Sequence, residues 1–373
     1  MSSLKFELAS AEDDVGLRRL LRENPMQGSI SVSFEREPNY FNASAIEGPI
    51  HQTLVARELN TNEIIGVGNR SVRPMFVNGE VREIGYMSQL RIHPKYGQGL
   101  YLARGLAQGF KLYRDLHADG RAPFYLMSII KDNLPARRLL TSGLPDYPCV
   151  QEYARMFTYA IYPTPRKHVG RIANPAHSLQ LIRGNDQYID QIVDCLNRNG
   201  ARKQFASYWT CDSLFASNLN PSDFFLALDG KCVVGCLACW DQTAFKQTVV
   251  RGYSGALAHW QKLLNVFSPL GGWPYLPEPN TPLQYSYGSH LAIDDDNPVV
   301  FAALLRALHN YNLERGYGYF MIGLAESNPL REVVQAYRPL TYVSQLYLVA
   351  WEDGMRFVQQ VDVRIPAPEI ALL

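Results

Sequence analysis

A short pattern that occurs twice constrains the fold of this chain of 373 residues. Residues 86–92 read YMSQLRI and residues 287–293 read YGSHLAI, so Tyr, Ser, Leu and Ile recur at the same positions. Three further matches occur in the same order along both halves: residues 64–66 with 233–235, 125–133 with 320–328, and 153–162 with 342–351. One match would be chance, but four in the same order predict an internal duplication.

The length of the chain agrees with two units, since a domain has about 150 residues. Hydrophobic residues make up 47% of the chain and charged residues 19%, which is enough to form a sizeable core. Between the two halves, residues 163–177 contain several prolines and charges, which predict a linker. We therefore expect an N-terminal domain over residues 1–163 and a C-terminal domain over residues 177–373.

The stretch from Tyr86 to Leu100 has the pattern of a strand, a glycine-bearing loop and a helix. Pro94 ends the strand because proline cannot donate a hydrogen bond to a sheet. Gly97 and Gly99 allow a tight turn and leave room for a ligand. Apolar residues then recur at helical spacing, at Leu102, Leu106, Phe110 and Tyr113. The start of such a helix has free N–H groups and a positive dipole end, which suit a pyrophosphate.

The rest of the first half alternates between strand and helix patterns. Asn78-Gly79 lies between two apolar runs and predicts a hairpin. Residues 28–49 are rich in Ser, Asn and aromatic residues; they form either one wall of a substrate cleft or a surface segment. The expected strands are 5–9, 52–58, 64–72, 81–92, 124–130 and 153–162, and the expected helices are 11–22, 100–117 and 133–140.

The second half differs from the first where the glycine loop would be. Asp294, Asp295 and Asp296 follow the repeated strand, and Asn297-Pro298 come next. Carboxylates at this position cap a helix well, but they would repel a pyrophosphate. We therefore expect a phosphate cradle in the first half alone.

Charge and cysteine content exclude several classes of protein. The formal net charge is +1, which gives no long-range attraction for nucleic acid or an anionic membrane. The first residues do not have the pattern of a signal peptide, and no apolar run reaches the roughly 20 residues of a membrane helix. Cys232, Cys236 and Cys239 lie close together, yet they fall on both faces of a strand. We expect reduced, buried thiols in a cytoplasmic protein and no metal site.

These residues resemble the GNAT superfamily of N-acetyltransferases. The resemblance rests on the loop at residues 92–100 and on Asn133, Ala136, Arg137 and Leu139 after the next strand. It implies an α/β (α+β) fold of two GNAT-like lobes, each a mixed, mostly antiparallel twisted sheet flanked by helices. It also implies that the strand before the loop separates from its neighbour, binds the pantetheine of acetyl-CoA through its backbone, and leads to loop amides that hold the pyrophosphate. The implied cofactor-binding residues are Leu90, Arg91, Ile92, Gly97, Gln98, Gly99, Leu100, Tyr101, Asn133 and Arg137.

The resemblance implies an N-acetyltransferase that passes an acetyl group from acetyl-CoA directly to an amine, without a covalent enzyme intermediate. Tyr86 and Glu83 are the candidate catalytic residues. Tyr86 recurs as Tyr287, which also fits a structural role, and Glu83 also fits a solvated surface. The alternative is a non-catalytic tandem GNAT-like protein that binds CoA or another small ligand as a sensor or scaffold. The acceptor, a small molecule or a peptide, the acyl chain length and the oligomeric state stay open.

Overall fold

The structure is a computed structural model that describes residues 4–97, 99–163, 179–255, 257–259, 261, 265 and 276–373. Of residues 100 and 101 it describes the backbone alone. Gln98 and almost all of the expected linker at residues 163–177 lie outside the described residues, as do the side chains of Leu100 and Tyr101.

Strands dominate the described residues, and helices fill the connections. The strands are β1 Leu4–Leu8, β2 Ile30–Glu35, β3 Ile50–Glu58, β4 Ile64–Val77, β5 Glu80–Ile92, β6 Tyr125–Ile130, β7 Cys149–Ile161, β8 Leu179–Arg183, β9 Phe224–Asp229, β10 Cys232–Trp240, β11 Gln247–Tyr253, β12 Tyr285–Ile293, β13 Tyr319–Ala325 and β14 Leu340–Ala350. The helices are α1 Asp14–Glu23, α2 Ser44–Glu47, α3 Gly99–His117, α4 Leu134–Leu140, α5 Ile189–Gly200, α6 Cys211–Ala216, α7 Pro298–Arg315, α8 Arg331–Gln335 and α9 Met355–Val358. Among the described helices, none is both long and apolar enough to cross a membrane.

Twelve strands form one sheet in the order β1-β3-β4-β5-β6-β14-β7-β13-β12-β10-β9-β8. Within the described residues, its neighbours pair antiparallel except β5 with β6 and β12 with β13. The predicted fold class, a mixed and mostly antiparallel sheet flanked by helices, is confirmed.

The two halves of the chain exchange their last strands. β14 of the second half lies between β6 and β7, and β7 of the first half pairs with β13. The sequence predicted both strands but not their partners, because a buried strand shows the same apolar pattern beside any neighbour. The limits 1–163 and 177–373 stay a prediction about the order of the chain, since both stretches share this sheet.

A second sheet of two strands also joins the halves. β2 pairs with β11, with Val32 opposite Val250 and Glu35 opposite Gln247. Residues 28–49, for which the sequence left open a cleft wall or a surface segment, contain β2 and α2. The strand partner of β2 lies more than 200 residues away, so no local pattern could reveal the pairing.

In the first half of the large sheet, both faces are buried, each in a separate apolar cluster. Leu106, Phe110 and Tyr113 of α3 pack with Met87 of β5 on one face, so the predicted apolar stripe of this helix is confirmed. Tyr86, on the opposite face of β5, packs in a different cluster that includes residues of β4, β6 and β14. The face that carries Tyr86 is called the inner face below.

The cysteine-rich strand β10 crosses the core of the second half. Cys236 packs on one face and Cys239 on the other, as the alternation of side chains predicted, whereas Cys232 is exposed. Cys195 of α5 is buried in the same cluster as Cys236. In the described part of the chain, no group of three or more His, Cys, Asp or Glu residues is placed to hold a metal ion.

Candidate functional site

A cleft opens between β5 and β6. The two strands pair in parallel only from Gly85 opposite Tyr125 to Met87 opposite Met127. β5 then continues on β4 as far as Ile92, while β6 continues on β14 to Ile130. The strands separate beyond Met87, which leaves backbone groups of β5 without a neighbouring strand on that side.

A β-bulge shapes β5 at this cleft. Ser88 is opposite Asn69 and Arg91 is opposite Val67, so Gln89 and Leu90 have no partner residue on β4. Gln89 has a φ of 55°, in the left-handed region, and the strand bends there. Bulges of this kind change the direction of the backbone next to a site.

The glycine loop follows the bulge and leads into α3. Its first part is a 3₁₀ turn over Pro94–Tyr96, closed by the N–H of Gly97, which donates to the carbonyl of Pro94 at 3.2 Å. Gly99 is the first residue of α3 and has a φ of +64°. A Cβ at Gly99 would have no heavy atom of the described residues within 4 Å, so this part of the protein does not crowd the helix start. This is the geometry that an anion needs to reach helix N–H groups.

The predicted cofactor residues on β5 fall on both sides of the sheet. Leu90 is 38% exposed in the cleft, and the side chain of Ile92 packs beside α3. The guanidinium of Arg91 lies on the inner face and donates to the carbonyl of Leu90 at 2.9 Å. Burial lowers the pKa of Arg91, and the positive charge of Arg36 lowers it further. The backbone of Arg91 therefore borders the cleft, but its side chain lies elsewhere.

Asn133 and Arg137 stand at the start of α4, beyond the cleft. The side-chain oxygen of Asn133 accepts from the N–H of Ala136 at 3.3 Å and caps the helix, as predicted. Arg137 donates to the hydroxyl of Tyr347 at 2.9 Å and to Glu152 at 2.9 Å. These hydrogen bonds tie α4 to β14 and β7. The observed contacts of both side chains are structural, and their cofactor role stays a prediction.

The two candidate catalytic residues are not brought together. Tyr86 is buried on the inner face, and burial, with the negative charge of Glu47, raises the pKa of its hydroxyl well above the ordinary 10. It therefore keeps its proton at neutral pH and is suited to donate a hydrogen bond rather than to act as a base. Glu83 is exposed and lies opposite Pro74, before β5 meets β6.

The inner face carries a group of charged residues that sequence reasoning missed. Glu47 is buried, with Oε1 paired to the guanidinium of Arg36 and Oε2 at 2.6 Å from Nε2 of His51. Burial alone would raise the pKa of Glu47, but the charge of Arg36 and the contact with His51 lower it below 4.5. Arg73 of β4 donates to the backbone carbonyls of Ile46 and Glu47, and the positive charge of Lys246 in the second half also lowers the pKa of Glu47. A single Arg, Glu or Lys in a sequence gives no sign of such burial.

The second half repeats the geometry of the cleft. β12 pairs with β13 only over Tyr285–Tyr287. On its other side β12 pairs with β10, and it has a bulge between the residues that lie opposite Cys236 and Ala238 of β10. His290 in that bulge has a φ of 53°, as Gln89 has in the first half. Gly66 and Gly235 face equivalent isoleucines, Ile92 and Ile293.

The C-terminal residues fill this second cleft. The N–H of His290, at the bulge, donates to Oε2 of Glu369 at 2.7 Å. A Cβ at Gly323 of β13 would collide with Ile370, so the two strands are held apart by the chain itself. A cavity of about 90 Å³ is left beside the segment, lined among others by Ser207 and His290.

The acidic loop after β12 is neutralised from within the protein. Arg198 at the end of α5 pairs with Asp294 at 2.8 Å, and Lys203 pairs with Asp296. The start of α7 is capped by Asn297, whose side chain accepts from the N–H of Val299 at 2.9 Å. The helix N-terminus that corresponds to the glycine loop of the first half is therefore already satisfied by protein groups.

Comparisons with known proteins agree on the architecture. No protein-family model matches the chain, and no curated protein sequence matches it. Among solved structures, it is similar to Saccharomyces cerevisiae N-myristoyltransferase with bound myristoyl-CoA, at a TM-score of 0.59 and 12% identity over 94% of this chain and 83% of that one. The chain has a GNAT-like fold.

Two other structures with this fold cover most of the chain. One is an Enterococcus faecalis protein described as a probable N-acyltransferase, with a TM-score of 0.54 and 8% identity over 96% of this chain and 75% of that one. The other is a GCN5-related N-acetyltransferase from Sphaerobacter thermophilus, with a TM-score of 0.53 and 10% identity over 92% of this chain and 95% of that one. At such identities the likeness establishes the GNAT-like fold.

Proposed function

We propose that this protein is an N-acyltransferase that moves an acyl group from acyl-CoA, with acetyl-CoA as the simplest donor, to an amine. One observation carries the proposal: β5 separates from β6 at a bulge and leads through a glycine loop to an open helix start. The names of the similar structures, which are N-acyltransferases or described as such, support the same class of reaction.

The cofactor would lie along β5. Its pantetheine would pair with the backbone of Leu90, Arg91 and Ile92, as a missing strand would. Its pyrophosphate would sit on the amides from Gly97 to Tyr101 at the start of α3, where the dipole is positive. Because these contacts use the backbone, they do not depend on a particular loop sequence.

The reaction needs little from side chains. The amine nitrogen attacks the thioester carbonyl as a neutral group, a C–N bond forms, and the C–S bond breaks. The amine gives up a proton to solvent or a base, and the CoA thiolate is a good leaving group because its pKa is near 8–9. Positioning supplies much of the rate. Tyr86, which keeps its proton, would donate towards the thiolate or the carbonyl oxygen; Glu83 is too exposed to be preferred as a base.

We propose that one cofactor binds per chain. In the second half the bulge N–H of His290 is taken by Glu369, and Asn297 and Arg198 complete the helix start and the acidic loop. That half would be a diverged copy of the first, as the sequence repeat suggests, and would contribute to the acceptor site instead.

Calorimetric titration with acetyl-CoA and with CoA tests the cofactor assignment. We expect one equivalent to bind. Two equivalents would contradict the role given to the C-terminal segment, and absence of binding would contradict the cradle. A competition with myristoyl-CoA measures the preferred chain length.

A non-catalytic CoA-binding protein is the second candidate, because neither candidate catalytic residue is placed as a base. Release of CoA with a panel of amines distinguishes the two functions. Steady release above hydrolysis for any amine excludes the binding-only alternative. Binding of one equivalent without release for any amine would favour it.

A further inference from the structure

The cavity in the second cleft lies beside the C-terminal segment and is built by both halves of the chain. It has a volume of about 90 Å³ and lies where β12 and β13 separate, next to the bulge at His290. Its lining includes Met156 of β7, from the first half, and Ser207, which lies between α5 and α6. Small-molecule sites are common at such junctions between two units.

Two buried polar groups of this lining have no hydrogen-bond partner among the described residues. They are Oγ of Ser207, a residue that is 7% exposed, and Nε2 of His290, a residue that is 2% exposed. A buried polar group without a partner is costly, so native proteins rarely leave one unsatisfied. Because both groups line the cavity, a molecule inside it can supply the missing partners.

The two groups border the same part of the cavity. Ser207 pairs with Met75 of β4 through its backbone, and the chain after it is not helical. Side chains two residues apart in an extended chain lie on the same side, which places Ser207 beside Trp209. The ring of Trp209 is 4.4 Å from the ring of His290, measured between centroids. One small ligand can therefore reach both Ser207 and His290.

The charged side chains of the lining already bind protein groups. Lys203 pairs with Asp296. Glu369 accepts from the N–H of His290 at 2.7 Å and from the N–H of Ala371 at 3.2 Å. Within the described residues, the cavity therefore offers no unpaired charge, and its chemistry favours a neutral ligand over an ion.

The imidazole of His290 is neutral and presents a lone pair. Burial, with the positive charge of Arg73, lowers the pKa of His290 to about 3. Nδ1 lies 3.0 Å from the hydroxyl of Ser289 and 3.9 Å from a carboxylate oxygen of Glu369. Both oxygens can accept a proton from Nδ1, so the ring proton is assigned to that nitrogen. Nε2 is then a hydrogen-bond acceptor, whereas the Ser207 hydroxyl can donate.

The size and the apolar part of the lining define the ligand further. A cavity of about 150 Å³ holds one benzene molecule, which has six non-hydrogen atoms, so about 90 Å³ suits a ligand of about four. Met156, Leu196 and Ile322 are among the apolar residues of the lining. A buried water typically makes about three hydrogen bonds, and two polar side chains among apolar neighbours provide few of them.

We propose that this cavity binds a small neutral molecule with a carboxamide group. The hydroxyl of Ser207 donates to the carbonyl oxygen of the amide, and Nε2 of His290 accepts from its N–H. The carbon atoms of the ligand lie against the apolar lining. Lys203 and Asp296, which are partly exposed, line the outer end of the cavity and mark the route of entry. This inference goes beyond the proposed function and does not depend on it.

Three probes of the same size test the chemistry of the site. Acetamide, acetone and acetate each have four non-hydrogen atoms, but acetone has no N–H and acetate carries a charge. Binding to the full chain is followed by NMR at the backbone amides of Ser207 and His290. We expect a Kd of about 1–10 mM for acetamide, and binding of the other two that is about 10-fold weaker. Equal binding of all three, or absence of acetamide binding, would overturn the proposal and leave ordered water as the occupant.

Variants connect the amide to the two polar groups. Ser207→Ala removes the donor and His290→Phe removes the acceptor but keeps an aromatic ring, so each should raise the Kd of acetamide about 10-fold. Ser217→Ala is the matched control, because this buried hydroxyl lies outside the lining and donates to the carbonyl of Ser213 at 2.8 Å. It should bind acetamide as the native protein does. Native affinity in Ser207→Ala, with its fold confirmed by urea unfolding, would contradict the site.

A titration in the presence of saturating CoA separates this site from the first cleft. We expect the Kd of acetamide and the NMR shifts at His290 to be unchanged, because the cofactor is proposed to bind along β5. Displacement of acetamide by CoA, or shifts confined to residues 86–99, would place the probe in the first cleft and overturn the proposal. Since no step of this experiment requires acyl transfer, its outcome stands whether or not the proposed function is correct.

Discussion

The phosphate cradle at Gly99 can be tested with a pair of variants that differ only in charge. Gly99→Glu places a carboxylate at the first residue of α3, where the cofactor pyrophosphate is proposed to bind. Gly99→Gln introduces a side chain of the same size without the charge. Because Gly99 has a φ of +64°, both variants pay the same conformational cost of about 1 kcal/mol.

The structure separates the steric and the electrostatic effects. A Cβ at Gly99 meets no described atom within 4 Å, so the first atom of either side chain fits without displacing the described residues. An acidic side chain at a helix start interacts favourably with the positive end of the helix dipole, so the Glu variant should fold. A carboxylate about 5 Å from one phosphate charge costs about 1–3 kcal/mol of binding at effective dielectric constants between those of a protein surface and water. The Kd of CoA should therefore be about 5- to 150-fold higher in Gly99→Glu than in Gly99→Gln.

The assay is calorimetric titration of each variant with CoA, together with urea unfolding to confirm that both are folded. Asp295→Asn serves as the control in the second half, because the Asp295 side chain is 95% exposed in the acidic loop, and it should bind CoA as the native protein does. Equal Kd values for the Glu and Gln variants, or native affinity in Gly99→Glu, would refute a pyrophosphate site at this helix. A changed affinity in Asp295→Asn would refute its assignment to the first half.

Three further predictions concern the inner face and the second cleft. Tyr86→Phe should lower kcat about 100-fold if the hydroxyl donates a hydrogen bond to the developing negative charge. It should leave the pH dependence between pH 6 and 9 unchanged, because the raised pKa of Tyr86 lies above this range; a smaller than threefold fall in kcat would exclude this role. The free energy of unfolding should rise between pH 8 and 10.5, because Lys246 loses its proton at about pH 8 in the folded state and near 10.5 in the unfolded state; urea unfolding of Lys246→Met should lack this rise, and an identical rise would show that Lys246 is not the group responsible. Glu369→Ala should lower the free energy of unfolding by about 1–3 kcal/mol and speed hydrogen exchange at the amide of His290, because this amide loses its acceptor. Glu369→Gln should keep most of the protection from exchange, and native exchange rates in the Ala variant would disprove this contact.

Local features of the fold were predictable because each depends on a few adjacent residues. Asn78-Gly79 forms the expected hairpin turn, with φ values of 55° and 87° that few other residue pairs adopt. The glycine at the start of α3 and the apolar stripe of that helix follow from residue type and spacing in the same way. The repeated pattern at Tyr86 and Tyr287 predicted two equivalent strands, and the structure shows that both of them carry a bulge at the same place.

The relation between the halves was not predictable, because nothing in a strand pattern specifies a partner. β7 and β14 are apolar segments that fit beside several strands, and the structure inserts each one in the part of the sheet built by the other half. β2 likewise pairs with a strand more than 200 residues away. These pairings bring Lys246 towards Glu47 and place the C-terminal segment in the second cleft.

The sequence by itself determined the GNAT-like architecture and the site that is expected to hold the cofactor, since glycine loops, caps and repeats act through local backbone geometry. Only the tertiary structure decided which charges are buried together. Arg36, Glu47 and Arg73 look like ordinary surface residues in the sequence, but the structure buries them together, and their charges interact more strongly where less water screens them.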